Sequence, residues 1–540
     1  MFPGMTEDEI RARWFLTKGE RGNPATHLDA GKPDDIAWTT GNRVQVLVDG
    51  ASYYLRLLEE LARAGKGDWI YFTDWRGDPD ERLAGEGTEI VRLLSDAARR
   101  GAHVHGLIWR SHPQATRFSE EANFHLAQEV DALGGEILLD ERVRRGGSHH
   151  QKLFLMRHPS NESEDVAFVG GIDLCHGRND DGRHRGDPQV YRLDERYGPR
   201  PAWHDVQIEV RGPAITDLDV TFRERWEDTT PLDHRNPWRR LLARRGHEPE
   251  EPGSLPPPTS NREPVGPHAV QVLRTYPAKR PTYPFAPGGE RSIARAYHKA
   301  YARARKLIYL EDQYFWSSEI AELIAEQLRR SPELHIIVVL PRYFEQEGLL
   351  SSSGPRRGRS TAIEILEEAT PDRVAFYDLE NEEGLPIYVH AKVCIIDDVW
   401  AEVGSDNMCL RSWTHDSELS CTILDETHDE RAPSDPAGLG DGARRFARDL
   451  RLRLWREHLG VDSDDGLIDP VEAFQTWRTA AEELDAWHAG DKSRPRPRGR
   501  VRVHDPGRQS AVAKRVARPL LRLMVDPDGR PRGLRRARQF

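Results

Sequence analysis

Apolar runs of strand length punctuate this chain, and they come in matched pairs. Asp68-Trp69-Ile70-Tyr71-Phe72-Thr73-Asp74-Trp75 and Lys306-Leu307-Ile308-Tyr309-Leu310-Glu311-Asp312-Gln313 each follow a helix-length amphipathic segment and end in acidic or polar residues. The next strands also correspond, at 104–110 and 334–342. Two further runs open on His150-Gln151-Lys152 and His390-Ala391-Lys392, 240 positions apart. Each leads to a glycine-containing turn, Val169-Gly170-Gly171-Ile172-Asp173 and Val403-Gly404-Ser405-Asp406-Asn407. Each copy then supplies an acidic residue, Asp205 or Glu418, and closes on an amphipathic helix ending near Trp226 or Trp455. Short strands alternating with helix-length segments predict α/β architecture, a parallel or mixed sheet flanked by helices. The internal repeat predicts two such units related by a pseudo-twofold axis and sharing one cleft.

Alternate residues on a strand point to the same face, so the His and Lys of each triplet can address one ligand. One such triplet is an ordinary strand end. Two, with matched flanks, indicate a half-site present twice. The residue types suit phosphodiester chemistry, which needs a nucleophile, cations for the non-bridging oxygens and an acid for the leaving alkoxide. Two His and two Lys supply these without a cofactor or metal. A carboxylate accepting from one imidazole nitrogen fixes the tautomer that leaves the other free, and Asp205 and Glu418 are the candidates. Two His in one phosphate pocket titrate together, which predicts a bell-shaped activity profile.

These segments resemble the phospholipase D superfamily, specifically its two-motif, lipid-acting members. The family signature H-x-K-x4-D is matched in full by His390, Lys392 and Asp397. Around the first copy, Val169-Gly170-Gly171-Ile172-Asp173-Leu174-Cys175-His176-Gly177-Arg178 and Trp203-His204-Asp205-Val206 resemble stretches of eukaryotic-type phospholipase D cores. Gly404-Ser405, Asn407, Arg411-Ser412 and Asp416-Ser417-Glu418 play the same part after the second. The likeness covers roughly residues 40–470. One position departs from it: Arg157 stands where the first motif's aspartate is expected, ahead of a polar insert at 158–165. The motif acid Asp397 is expected to support the scaffold, with Asp165 or Glu164 substituting in the first copy; without compensation the first half-site is degraded.

The resemblance implies that His150 attacks phosphorus to form a phosphohistidine while His390 protonates the departing alcohol and then activates water or an acceptor alcohol. Pseudo-symmetry leaves the reverse assignment chemically open. Lys152, Lys392, Asn407 and Ser405 are expected at the non-bridging oxygens, with Gly171 and Asp173 also assigned to substrate binding. The implied activity is hydrolysis of glycerophospholipids to phosphatidic acid and free head group, with transphosphatidylation. A cardiolipin synthase-like transferase, a nuclease of the same chemistry and a non-catalytic membrane-associated protein are the alternatives.

Composition refines this picture. No apolar stretch is long enough to span a bilayer, and the N-terminal residues lack the basic-then-apolar order of a signal peptide. Four cysteines, Cys175, Cys394, Cys409 and Cys421, have no zinc-ligand spacing, and no dedicated calcium or magnesium site is evident. A reduced cytoplasmic location and a monomer complete in itself are the simplest expectations. The net charge of −11 is unevenly spread: residues 491–540 carry +12, leaving −23 elsewhere. An acidic body disfavours nucleic acid, whereas the alternating apolar and cationic stretch 511–525 suits an anionic membrane surface, as peripheral attachment to the inner face. Trp75, Trp109, Tyr314, Phe315, Trp316 and Trp413 fall near motif flanks, where they can line an entrance for acyl chains. The expected organisation is an N-terminal extension (1–39), a first half (40–245), a Pro-rich linker (246–268), a second half (269–470) and a C-terminal helix with a basic tail (471–540). Long polar loops are expected at 177–201 and 344–359.

Overall fold

The computed structural model describes residues 5–111, 120–230, 232, 252–258, 263–345, 353–506 and 525–540. The first copy contributes strands β1 (Thr39–Val48), β2 (Trp69–Asp74), β3 (His103–Trp109), β4 (Glu136–Asp140), β5 (Leu153–Arg157), β6 (Val166–Gly170), β7 (Ala202–His204) and β8 (Val206–Arg211). The second contributes β9 (His268–Tyr276), β10 (Glu290–Arg291), β11 (Leu307–Glu311), β12 (His335–Val339), β13 (Val374–Leu379), β14 (Ile387–Val389), β15 (Val393–Ile396), β16 (Trp400–Gly404) and β17 (Glu418–Asp425), followed by β18 (Val501–Val503).

Outward from β1 the order is β1-β8-β6-β5-β2-β3-β4, and outward from β9 it is β9-β17-β16-β15-β11-β12-β13, the same sequence of equivalent strands. β1 and β9 pair antiparallel, so the two copies share one mixed, 16-stranded sheet. The parallel pairings β2-β3-β4 and β11-β12-β13 lie toward its two ends. β7 and β14 stand apart as a two-stranded parallel ribbon with Trp203 opposite Tyr388 and His204 opposite Val389.

Alternation along each strand divides the core between the sheet's two faces. Tyr71 and Leu155 join the cluster under helices Ala214–Trp226, Arg445–Leu459 and Pro470–Ala489, which extends across both copies. Their neighbours Ile70, Phe72, Phe154 and Met156 face helices Gly50–Arg63 and Ile90–Arg99. On that face of the second copy, Ile308, Leu310 and Ile336 pack against helices Ser292–Tyr301 and Ser318–Arg330. Burying side chains of this size contributes roughly 1.5–3 kcal/mol each, so a continuous two-faced core accounts for strands that read as almost unbroken apolar runs.

The N-terminal segment does not stand apart, because Trp14, Phe15 and Leu16 pack in the second copy's core. The described end of the chain also docks on the body: Arg411 N donates to Asp526 at 2.8 Å and Arg144 Nη1 to the Gly529 carbonyl at 2.7 Å. One loop expectation is corrected, since helix Ser353–Ala369 begins inside the stretch 344–359 that reads as a polar loop. Most of the membrane-docking stretch 511–525 and much of the linker 246–268 lie outside the described residues. Among the described residues no helix is long and apolar enough to cross a membrane.

Candidate active site

Each H-x-K triplet sits just before a central strand, His150 and Lys152 ahead of β5, His390 and Lys392 ahead of β15. The segments leading into them are held by the opposite copy. His150 N donates to the Ser417 carbonyl at 2.9 Å, and His390 N donates to the His204 carbonyl at 2.8 Å. Ser417 and His204 immediately precede the two acids Glu418 and Asp205. The side chains cross in the same way: Nδ1 of His150 lies 2.8 Å from Glu418 Oε2, and Nδ1 of His390 lies 2.6 Å from Asp205 Oδ2. Each imidazole is thus buttressed by a carboxylate of the other copy. With Nδ1–H committed to a carboxylate, Nε2 is the nitrogen left for chemistry.

The local sequence makes room for these contacts. A Cβ at Gly171 would run into the Asp205 carboxylate, so only glycine allows that close approach. The equivalent residue of the second copy, Ser405, uses its hydroxyl instead, donating to Glu418 Oε2 at 2.6 Å and accepting from Leu419 N at 3.0 Å. Gly171 and Ser405, expected at the substrate, are therefore brought to the two buttressing acids.

The cations are deeply buried. Lys152 Nζ donates to the His150 carbonyl at 3.0 Å and lies 3.3 Å from Asp173 Oδ1. Asp173 also accepts from Trp75 N at 3.1 Å, linking β2 to the glycine turn. Lys392 donates to the His390 carbonyl and lies 3.0 Å from His390 Nδ1. Because Nδ1 carries its proton toward Asp205, this second contact sets charge against a donor. Asn407, equivalent to Asp173, keeps a buried amide oxygen with no hydrogen-bond partner among the described residues.

Electrostatics follows from this crowding. Burial, then Lys152 and Lys392, pushes His150 well below the ordinary imidazole range. Burial and Lys392 lower His390 to about 3, against the opposing pull of Asp205. Burial pushes Asp205 up, but His390 and Lys392 outweigh it and hold the acid at about 2. Burial, reinforced by Asp416, lifts Glu418 to about 8. Lys392 falls to about 8 through burial, with Lys152 adding repulsion. The symmetric scaffold therefore carries an asymmetric pair, one buttress ionised and the other protonated at neutral pH.

Asp397 lies at the far end of β15. Its carboxylate accepts from Arg305 N, Lys306 N and Leu307 N at 2.7–2.8 Å, fixing the entry to β11. In the first copy Arg157 lies 3.6 Å from Asp219 on helix Ala214–Trp226, and the entry to β2 is tied differently. His158 Nδ1 is 3.0 Å from Asp68 Oδ1, and Asp68 Oδ2 accepts from Gly65 N at 2.8 Å. Asp165, the expected substitute, accepts from His158 N at 2.5 Å, so it steadies the residue that meets Asp68.

Sequence reasoning assigned no role to Arg178 or Trp203. Trp203 packs on His390 with ring centroids 4.9 Å apart and donates Nε1–H to Asp205 Oδ2 at 3.3 Å. Arg178 lies 3.8 Å over the Trp203 ring and leaves a buried Nε without a hydrogen-bond partner among the described residues. It is a fixed cation among the buried acids and imidazoles. Both residues lie inside stretches that carry the family resemblance, which was the available signal. Of the expected entrance aromatics, Trp75 packs against His150 and Trp109, and Tyr314 stacks on Trp316. Phe315 and Trp413 are instead buried in the second copy's core. The loop at 177–201 meets residues 343–345, with Tyr197 OH donating to the Tyr343 carbonyl at 2.6 Å and Asp194 N to the Glu345 carbonyl at 2.8 Å.

Comparison with known proteins points to the family that the motifs resemble. A family model described as Phospholipase D matches residues 81–238. Phospholipase D A of Dictyostelium discoideum is 26% identical over 486 residues, covering 77% of this chain but only 36% of that protein. Phospholipase D alpha 1 of Cynara cardunculus is 24% identical over 590 residues, covering 83% of this chain and 69% of the relative. The crystal structure of phosphatidylserine synthase from Haemophilus influenzae Rd KW20 superposes with a TM-score of 0.50 at 16% identity, over 82% of this chain and 94% of that one, a likeness of fold. With its duplicated half-sheet and paired H-x-K triplets, the chain resembles the phospholipase D superfamily, and these likenesses support its membership.

Proposed function

We propose that the protein is a phosphodiesterase of the phospholipase D type, cleaving the distal phosphodiester of glycerophospholipids to phosphatidic acid and a free head group. The crossed pairing of His150 with Glu418 and His390 with Asp205 carries this reading, because it leaves the same nitrogen free on two imidazoles, each beside a buried lysine. His150 Nε2 attacks phosphorus, and the P–O bond to the head group breaks as the N–P bond forms. The departing oxygen takes its proton from His390, whose cationic form is favoured by the anionic phosphodiester and by ionised Asp205. His390 then removes a proton from water or an alcohol, which displaces His150 from phosphorus. The asymmetry of the buttresses supports these roles: the nucleophile must be neutral, and the proton carrier gains most from an ionised partner. Lys152, Lys392, Asn407 and Arg178 meet the non-bridging oxygens.

Phosphatidylcholine vesicles with and without a primary alcohol test this. Choline release, with phosphatidyl-alcohol formed at the expense of phosphatidic acid when alcohol is present, is the expected result. Nicking of plasmid DNA without any choline release would move the assignment to a nuclease.

A further inference from the structure

Beside the cleft lies a second cluster that the proposed reaction does not use. Asp49 precedes helix Gly50–Arg63, His184 lies in the 177–201 loop, His204 ends β7, and Glu457 comes from helix Arg445–Leu459 of the second copy. One ligand atom from each can be chosen so that all four lie within 4.8 Å of one another. Asp49, His184 and His204 are buried, and only Glu457, with 18% of its side chain exposed, reaches the surface.

We propose that Asp49, His184, His204 and Glu457 form a tetrahedral binding site for a divalent transition-metal ion of the zinc class. A zinc ion bonded to nitrogen and oxygen at 2.0–2.1 Å sets neighbouring ligand atoms about 3.3 Å apart. Three of the separations lie near that value, and the others are within 4.8 Å: His204 Nδ1 is 3.1 Å from Asp49 Oδ1 and 3.5 Å from Glu457 Oε1, and His184 Nε2 is 3.1 Å from the same Glu457 oxygen.

The outer contacts match a metal site as well. The other nitrogen of His204 lies 2.8 Å from Glu311 Oε2, and that of His184 lies 3.2 Å from the Trp203 carbonyl. Such acceptors fix the tautomer of metal-bound imidazoles. Every imidazole nitrogen here faces an oxygen, so each ring can turn one nitrogen to the four-residue centre while the other donates outward. One dication at the centre of the four donors would balance the two carboxylates. Two imidazoles with two carboxylates select a borderline metal over calcium or magnesium, which prefer oxygen ligands alone. A bound ion would join both copies through the residue next to Asp205.

The full-length chain, stripped with a chelator and dialysed, tests this with zinc chloride and cobalt chloride as probes. Zinc should bind at about one equivalent per chain, with proton release and a raised thermal midpoint. Cobalt should give visible d–d bands of tetrahedral intensity. His184→Asn and Glu457→Gln should each abolish stoichiometric binding, while His488→Asn, altering a His–Glu pair elsewhere, should not. Less than about one ion per ten chains, a cobalt spectrum of octahedral intensity, or wild-type binding in either cluster variant would overturn the site. The wild-type measurements decide the matter even if a variant fails to fold, and phospholipid hydrolysis plays no part in them.

Discussion

At Asp205 and Glu418 a single carboxylate decides which imidazole nitrogen is free. Asp205→Asn keeps the shape of the site but loses the ionised acceptor, and kcat should fall by about 10³–10⁴-fold with KM little changed. Glu418→Ala should act on the other imidazole by removing its partner, slowing formation of the phosphoenzyme in single-turnover experiments. Lys392 and Glu418 both titrate at about 8. Below that pH the cleft keeps their protons and its cationic charge; above it both are lost. Accordingly kcat/KM should decline as pH rises through about 8, and a flat profile from pH 6 to 10 would refute the alkaline half of this reading. The H-x-K triplets and the two acids were legible in sequence because they recur with matched flanks. Which acid serves which imidazole was not, since the crossing exists only after the copies pair. The four ligands of the proposed metal site, at positions 49, 184, 204 and 457, have no spacing to read.

Among the elements, β15 and the turn after it show how the second motif is held. Asp397 fixes three backbone N–H groups at the entry to β11, and Asp398 is gripped by Arg448 and Arg451 at 2.8 and 2.6 Å in full burial. Removing one member of such a buried group strands its partners and costs about 3–5 kcal/mol. Asp398→Asn should lower stability by that order in denaturant titration, and Asp397→Ala by about 3 kcal/mol through its unpaired amides. In both variants kcat per folded molecule should stay near wild type, because neither residue faces the cleft. Strands such as β2 and β11 were readable because both faces are buried, leaving long apolar runs. Helix Ser353–Ala369 was not, because Gly354, Pro355 and Gly358 mark a loop by local preference. Tertiary contacts override that preference, with Arg359 donating to the Pro341 and Gln313 carbonyls at 2.7 and 2.9 Å.

For the whole molecule, duplication was legible but fusion into one sheet was not, since pairing of β1 with β9 depends on register rather than composition. A shared sheet, a core spanning both copies and an N-terminal segment packed in the second copy bind the halves together. Unfolding should therefore be a single cooperative transition, coincident by far-ultraviolet circular dichroism and tryptophan fluorescence. Two separated transitions would mean that the copies are independent domains. The most direct test of a phosphate bracketed by two imidazoles is to trap the phosphoenzyme from a short-chain phospholipid labelled in its phosphate and acyl part. The expected product is an acid-labile adduct on His150, absent in His150→Asn and longer-lived in His390→Asn. An adduct that persists in His150→Asn, or none in any form of the protein while choline is still released, would contradict it.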